Sequence, residues 1–101
     1  MTRRTLDRDE IIRRLKESLP ELQDHYGVRT MGLFGSYARH EARKSSDVDL
    51  LVEFDRTPSL LTFVELELLL SDRLGIKVDL VMKSALKPGI GKRILSEILT
   101  I

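Results

Sequence analysis

Apolar residues recur at helical spacing in three stretches of the chain. Their pattern predicts helices over residues 9–26, 60–74 and 90–100. Pro20 lies inside the first helix and is expected to kink it or divide it into two pieces, and Gly27 is expected to end it. The last helix is expected to follow a turn at Pro88-Gly89 and to place its apolar residues on one face: Ile90, Ile94, Leu95, Ile98 and Leu99.

Shorter apolar runs predict strands over residues 28–34, 47–54 and 76–82. Gly35-Ser36 breaks the first strand, and residues 37–42 are predicted to form a short helix before a turn at residues 44–46. Helices and strands therefore alternate along the chain. This order predicts an α/β (α+β) fold with a small mixed sheet of three to four strands and flanking helices.

The helix predicted over Leu60 to Leu74 carries more apolar residues than one narrow stripe can hold. Such a helix is either buried or part of an interface. We therefore expect that a homo- or hetero-oligomer would form through this helix or through the C-terminal helix. Charged residues interrupt the same stretch, so it is not a membrane span.

The composition is that of an ordinary water-soluble protein, and its 101 residues predict a single domain over residues 1–101. A net charge of +1 gives no general argument for nucleic-acid binding, and none is expected. Without cysteine, neither a disulfide nor a thiolate metal site can form, which fits a cytoplasmic location. The first sixteen residues are nevertheless rich in basic residues, which form either a solvated helix face or a contact with nucleotide, RNA or an acidic partner: Arg3, Arg4, Arg8, Arg13, Arg14 and Lys16.

Two carboxylates open the second predicted strand. Asp47 and Asp49 are two residues apart, so they point to the same face of the sheet. Carboxylates this close repel each other unless a cation binds beside them, and Mg²⁺ often binds through one or two carboxylates together with substrate phosphates. An Asp-x-Asp sequence alone also fits a strand-end cap followed by an exposed edge residue.

A glycine-serine turn follows the first predicted strand. Gly35 would let the backbone approach a phosphate closely, and Ser36 would place a hydroxyl near a helix N-terminus, where N–H groups favour anions. Arg39 lies about one helical turn later. It could contact a phosphate, hold a carboxylate or form a surface salt bridge.

Asp79 lies in the middle of the third predicted strand, among apolar residues. If that strand neighbours the second, Asp79 could complete a site of three carboxylates with Asp47 and Asp49. An exposed edge residue paired with Lys77 is the alternative interpretation.

Together these features resemble the nucleotidyltransferases of the DNA polymerase β-like superfamily. The motif is a glycine-serine turn, an Asp-x-Asp and a later acidic residue, which are Gly35-Ser36, Asp47-Val48-Asp49 and Asp79. The chain is most similar to the minimal (MntA-type) members of that superfamily, and most specifically so over residues 32–54. His40 departs from the pattern, since relatives often have glycine there; on a helical surface the histidine would cost little.

The resemblance implies nucleotidyl transfer with two Mg²⁺ ions and ATP. Asp47, Asp49 and Asp79 would be the catalytic metal ligands, with Asp79 also helping to activate the attacking hydroxyl. Gly35, Ser36 and Arg39 would bind the nucleotide, the first two at its β- and γ-phosphates.

The partner is also implied by the resemblance. Minimal members resemble the antitoxin half of a pair with a HEPN-domain toxin, and some transfer AMP from ATP to a tyrosine of that toxin. The helical second domain that binds the acceptor in other relatives is not evident, so we expect another protein to supply the acceptor. Two alternatives remain at this point: a non-catalytic antitoxin that acts by binding, and an enzyme that modifies a small molecule or an RNA end.

Overall fold

The structure is a computed structural model that describes residues 6–101. Within this range it contains three α-helices and four β-strands in a single mixed sheet. In chain order these elements are α1 (Arg8–Tyr26), β1 (Val28–Phe34), β2 (Val48–Phe54), α2 (Leu60–Leu74), β3 (Val78–Met82), α3 (Pro88–Glu97) and β4 (Leu99–Thr100). The fold predicted from the sequence is therefore confirmed.

The strand order is β3-β2-β1-β4. Strand β1 is antiparallel to both β2 and β4, whereas β2 and β3 run parallel. The parallel pair requires a crossover connection, and α2 supplies it. The start of β2, the start of β3 and the end of β1 therefore lie side by side, at one end of the strands.

The hydrophobic core lies between one face of the sheet and helices α1 and α2. Side chains alternate along β2, so Val48, Leu50 and Val52 are buried in this core while Asp49 points to the other face. Full burial of each such side chain contributes about 1.5–3 kcal/mol to folding. Neither α1 nor α2 covers the face that carries Asp49, here called the open face; the C-terminal segment covers it in part, since Ile98 lies against Gly32 there.

Helix α1 runs without interruption through Pro20, so it is one helix and not the two pieces that were one of the two expected outcomes. The Asp7 carboxylate accepts a hydrogen bond from the Glu10 N–H and caps the start of the helix. Ile11 and Leu22 are both fully buried, one on each side of Pro20. Their packing on the sheet outweighs the loss of one backbone hydrogen bond at an exposed proline.

The end of the chain also differs from the prediction. Helix α3 begins at Pro88 and ends at Glu97, and the last residues form β4 instead of continuing the helix to residue 100. Strand β4 pairs Thr100 with Gly32, and the Ile101 N–H donates to the Met31 carbonyl at 2.9 Å. Without β4, the outer edge of β1 would leave these backbone groups unpaired.

The basic residues near the N-terminus have two different outcomes. Arg3 and Arg4 lie outside the described residues. Arg13 and Arg14 form ion pairs with Glu10 on the exposed side of α1, which agrees with a solvated helix face. No helix in the part of the chain that the structure describes is long and apolar enough to cross a membrane.

Candidate active site

The three predicted carboxylates lie at one edge of the sheet. Register along the parallel pair places Asp49 directly opposite Asp79. Asp47 immediately precedes β2 and, by alternation, shares the open face with Asp49. Lys77, which could have paired with Asp79, instead has its Nζ 3.9 Å from Asp47 Oδ2. The strand adjacency that the sequence left open is therefore present.

Asp49 has an electrostatic environment that disfavours its negative charge. Burial, and next the neighbouring carboxylates of Asp79 and Asp47, raise the pKa of Asp49 from 3.8 to about 6. Arg39 lowers this pKa, and Glu97 raises it further. The arrangement leaves Asp49 with uncompensated negative charge, which a divalent cation would balance.

Gly35 lies against the Asp49 side chain. Its φ of +78° lies in the left-handed region, and a Cβ at this position would come within 2.1 Å of Asp49 Oδ2. Only glycine combines this backbone conformation with this approach. The predicted phosphate-binding turn and the predicted metal carboxylate are therefore in direct contact.

The segment that follows is a single helical turn and not the short helix predicted over residues 37–42. The Arg39 N–H donates to the Gly35 carbonyl, and the Glu41 N–H donates to the Ser36 carbonyl. The His40 N–H donates to the Tyr37 carbonyl. Together these three bonds form a Schellman motif, which requires a left-handed residue near its end.

His40 fills the left-handed position of this motif, with φ of 59°. The interpretation of position 40 as helical surface is therefore wrong. Glycine is favoured there because the backbone is left-handed, and histidine adopts that conformation at some cost.

Arg39 takes the salt-bridge role, with partners other than the aspartates. Its Nη1 donates to both carboxylate oxygens of Glu97, at 3.2 and 3.1 Å, and its Nε donates to Glu41 at 3.1 Å. The Arg39 side chain is 40% exposed, and its charge lies close enough to Asp49 to lower the pKa of that carboxyl. Arg39 is therefore a cation at the edge of the carboxylate site.

Mg²⁺ fits the chemistry of this site. Among residues 6–101, no three acidic, histidine or cysteine side chains are gathered closely enough to hold a metal by themselves. Mg²⁺ commonly completes its coordination with water and substrate phosphates, so the protein need not supply three ligands by itself. The oxygen donors present, and the raised pKa of Asp49, fit a cation that binds together with a nucleotide.

Three residues at the turn have contacts that the sequence did not specify. Tyr37 is 4% exposed and packs beneath the turn in the core, where burial and then Asp47 raise the pKa of its hydroxyl. Arg8 donates from Nη1 to the Ala38 carbonyl at 3.0 Å. Glu97 reaches the turn from the end of α3. Arg8 and Glu97 lie far from the motif in sequence, so no local pattern could have indicated them.

Comparisons with known proteins agree on one family. Residues 12–101 match the sequence profile of the nucleotidyltransferase domain. The protein adenylyltransferase MntA of Thermococcus cleftensis is 58% identical over 78 residues, which are 77% of this chain and 79% of that protein.

Solved structures share the fold. A candidate minimal nucleotidyltransferase superposes with a TM-score of 0.79 at 35% identity, covering 95% of this chain and 97% of the other. The complex of a tri-AMPylated Shewanella oneidensis HEPN toxin with its MNT antitoxin matches with a TM-score of 0.60 at 22% identity, covering 92% of this chain and 66% of that one.

Proposed function

The chain belongs to the nucleotidyltransferase domain family, and on that basis we propose that it is a Mg²⁺-dependent protein adenylyltransferase that acts on a HEPN-domain toxin. It would transfer AMP from ATP to a tyrosine of the toxin and so serve as the antitoxin of the pair. The observation that carries this proposal is the contact between the Gly35 turn and Asp49, with Asp79 on the adjacent strand. The adenylyltransferase name of the Thermococcus relative and the toxin complex of the same fold support the choice of acceptor.

In this proposal the site residues have separate roles. Asp47, Asp49 and Asp79 would hold two Mg²⁺ ions, which neutralise phosphate charge and polarise the reacting phosphoryl group when bound. Gly35 and Ser36 would bind the β- and γ-phosphates through backbone N–H groups and the serine hydroxyl. Because the turn uses the N–H groups of Arg39, His40 and Glu41 for its own hydrogen bonds, those of residues 36–38 lack a backbone partner in the described part of the chain.

The reaction is an in-line displacement at the α-phosphorus of ATP. The tyrosine oxygen would form a bond to this phosphorus while the bond to the bridging oxygen of the β-phosphate breaks. Asp79 would accept the proton of the tyrosine hydroxyl, and its exposure on the edge strand β3 leaves room for an incoming protein side chain. AMP would remain on the toxin, and pyrophosphate would leave.

ATP-dependent modification of a cellular toxin would take place in the cytoplasm, where we also place this protein. The tyrosine of the toxin would enter from the open side of the sheet, where the carboxylates lie, since α1 and α2 cover the opposite side. The exposed apolar residues of α2 would provide one surface for its binding, and those of α3 another.

The test is transfer of label from α-labelled ATP, in the presence of Mg²⁺, to the HEPN-domain protein encoded beside this chain. Asp49→Asn removes one charge with almost no change of shape. We expect it to reduce labelling of the toxin by at least 10²-fold and to leave binding of the toxin unchanged. Asp72→Asn, an exposed carboxylate on α2, is the matched control and should label normally.

Three outcomes would contradict the proposal. Full labelling by Asp49→Asn would remove Asp49 from the metal site. Failure of the wild-type protein to label the toxin with any nucleotide, despite a stable complex, would assign neutralisation to binding alone. Labelling of an RNA end or a small molecule without the toxin would assign a different acceptor.

A further inference from the structure

Glu97 is the residue that brings the end of α3 to the phosphate-binding turn. Strand β4 pairs Thr100 with Gly32 and Leu99 with Leu33. Glu97 is the last residue of α3, two residues before β4, and its carboxylate lies within hydrogen-bonding distance of the Gly35 N–H. The position of Glu97 is thus fixed by the strand pairing that follows it, although 62 residues separate it from Gly35.

The Glu97 carboxylate engages two donors, the Gly35 N–H and the Arg39 guanidinium, that the family resemblance assigns to the nucleotide. The Gly35 N–H points at Oε1 over a long hydrogen bond of 3.4 Å, and Arg39 Nη1 lies 3.2 Å from the same oxygen. The second oxygen, Oε2, is 3.1 Å from Arg39 Nη1. A backbone N–H of a glycine turn and a guanidinium are the groups with which proteins commonly bind phosphate oxygens.

Glu97 also has an unfavourable neighbour at this position. Its negative charge is one of the influences that raise the pKa of Asp49, so it adds to the acidic character of the site. Its side chain is only 22% exposed, which limits the screening of this charge by water. A carboxylate that only anchored α3 would be better placed away from three aspartates.

We propose that Glu97 occupies the phosphate-binding donors of the Gly35–Arg39 turn in the nucleotide-free protein and must withdraw from them when the triphosphate binds. This inference rests on the proposed nucleotide site and adds a residue that sets its affinity. The carboxylate keeps the turn and Arg39 arranged for an anion before the substrate arrives. Its displacement makes binding of the β- and γ-phosphates weaker than the same donors would otherwise allow.

The consequence is a gain of nucleotide affinity when the charge of Glu97 is removed. Glu97→Gln keeps the size of the side chain but replaces the ion pair with a neutral contact. A partly exposed ion pair contributes up to about 1 kcal/mol, so we expect MgATP to bind about fivefold more tightly. Binding of magnesium tripolyphosphate should strengthen by a similar factor, whereas AMP, which lacks the β- and γ-phosphates, should bind as before.

Glu41→Gln is the matched control. Glu41 also pairs with Arg39, but its side chain is 65% exposed and it contacts the guanidinium through Nε. If Glu97 only held Arg39 in place, both substitutions would weaken or leave unchanged the binding of MgATP. If Glu97 competes with phosphate, only Glu97→Gln strengthens it.

Titration calorimetry on the full chain separates the outcomes. If Glu97→Gln binds MgATP as tightly as the wild-type protein or more weakly, Glu97 does not compete with phosphate and only holds the turn in place. Equal gains for AMP and for tripolyphosphate would overturn the competition as well, because the effect would not be specific to the outer phosphates. Absence of MgATP binding by the wild-type protein would instead overturn the proposed function itself.

A second variant covers the case in which Glu97→Gln fails to fold. Glu97→Asp retains the charge but shortens the side chain by one methylene, which withdraws the carboxylate from the Gly35 N–H. We expect this variant to bind MgATP more tightly than wild type, but by a smaller factor than is expected of Glu97→Gln. Unchanged or weaker binding by a folded Glu97→Asp would contradict the proposal in the same way.

Discussion

At the residue scale, the most consequential group is the Asp49 carboxyl. It is partly buried, it faces Asp79 across the parallel pair, and it touches the backbone of Gly35. These contacts raise its pKa to about 6, which means that the folded protein holds a proton there more tightly than the unfolded chain does. The same contacts favour a divalent cation at neutral pH, where that proton is absent.

A dependence of stability on pH follows from this raised pKa. Between pH 3.8 and about 6 the folded state binds more protons at Asp49 than the unfolded state does, so the stability of the metal-free protein falls as the pH rises through this window. Asp49→Asn should remove this penalty and, allowing for partial exposure, raise the free energy of unfolding at pH 7 by about 1–2 kcal/mol.

The measurement is thermal unfolding in chelator at several pH values. The difference between Asp49→Asn and wild type should be small near pH 4 and largest above pH 6. Asp72→Asn controls for the loss of one negative charge elsewhere on the protein. A constant difference across this range would show that the environment of Asp49 does not disfavour its charge.

His40 gives a second prediction at this scale. Its φ of 59° closes the Schellman motif that ends the turn, and a residue with a Cβ is strained in this conformation. His40→Gly should therefore be more stable than His40→Ala by about 1 kcal/mol. The comparison with alanine isolates the backbone effect from the loss of the imidazole. Equal unfolding midpoints in urea would rule out strain at this position.

The arrangement of the candidate site was predictable from the sequence as far as it depends on local pattern. Asp47 and Asp49 follow from strand alternation, and Gly35 from the break after an apolar strand. The contact of Gly35 with Asp49 depends on the antiparallel register of β1 and β2, which no local pattern specifies. Glu97 is brought to the site by the pairing of β4 with β1. The sequence did not predict this pairing, because the residues of β4 were expected to continue the last helix.

At the scale of secondary structure elements, the edge strand β3 is held in place by α2. The Leu80 N–H donates to the Glu67 carboxylate at 2.9 Å, and the Val78 N–H donates to the Ser71 hydroxyl at 2.9 Å. These bonds satisfy backbone donors on the outer side of an edge strand, which would otherwise be open to pairing with another chain. They also fix the strand that carries Asp79.

Removing one of these contacts should weaken the fold. Glu67→Ala leaves the Leu80 N–H, in a partly buried hydrogen bond, without its charged acceptor and should cost about 1–2 kcal/mol in the free energy of unfolding. Glu65→Ala, at an exposed position on the same helix, is the control and should change stability by less than about 0.5 kcal/mol. Urea denaturation measures both. If Glu67→Ala and Glu65→Ala lower the free energy of unfolding by the same small amount, water replaces the Glu67 carboxylate at the Leu80 N–H without a cost in stability.

Elements with a clear period were predicted well, and those that depend on distant partners were not. The bounds of α2 and β1 agree with the prediction, because their apolar pattern ends at turn residues. The turn after Gly35 and the end of the chain were both assigned to helices. In these segments the local pattern permits a helix, but the left-handed His40 and the free edge of β1 select another structure.

At the scale of the whole molecule, the helices α1 and α2 cover one face of the sheet, and the carboxylates lie on the other. Helix α2 uses only part of its apolar surface for this core. Leu66, Leu70 and Leu74 are buried, whereas the exposed apolar stripe of α2 consists of Leu60, Leu61, Val64 and Leu68. Folding of the described residues does not account for this stripe, which is the kind of surface that partner proteins cover.

Substitution in the stripe should separate folding from association. Leu60 and Leu61 are 78% and 70% exposed, so the double variant Leu60→Gln, Leu61→Gln should change the free energy of unfolding by less than about 0.5 kcal/mol. Leu66→Ala, at a fully buried position on the same helix, should cost about 2–5 kcal/mol. Thermal unfolding distinguishes the two classes.

The same double variant tests where the toxin binds. Size-exclusion chromatography with the HEPN-domain protein should show loss of the complex for the double variant, while binding of MgATP by calorimetry stays at the wild-type level. This combination is expected because the stripe lies on α2, away from the carboxylates on the open face of the sheet. If the double variant still forms the complex, the toxin does not bind through this stripe. The other exposed apolar side chains are Ile90 and Leu95 of α3, and the double variant Ile90→Gln, Leu95→Gln should then lose the complex.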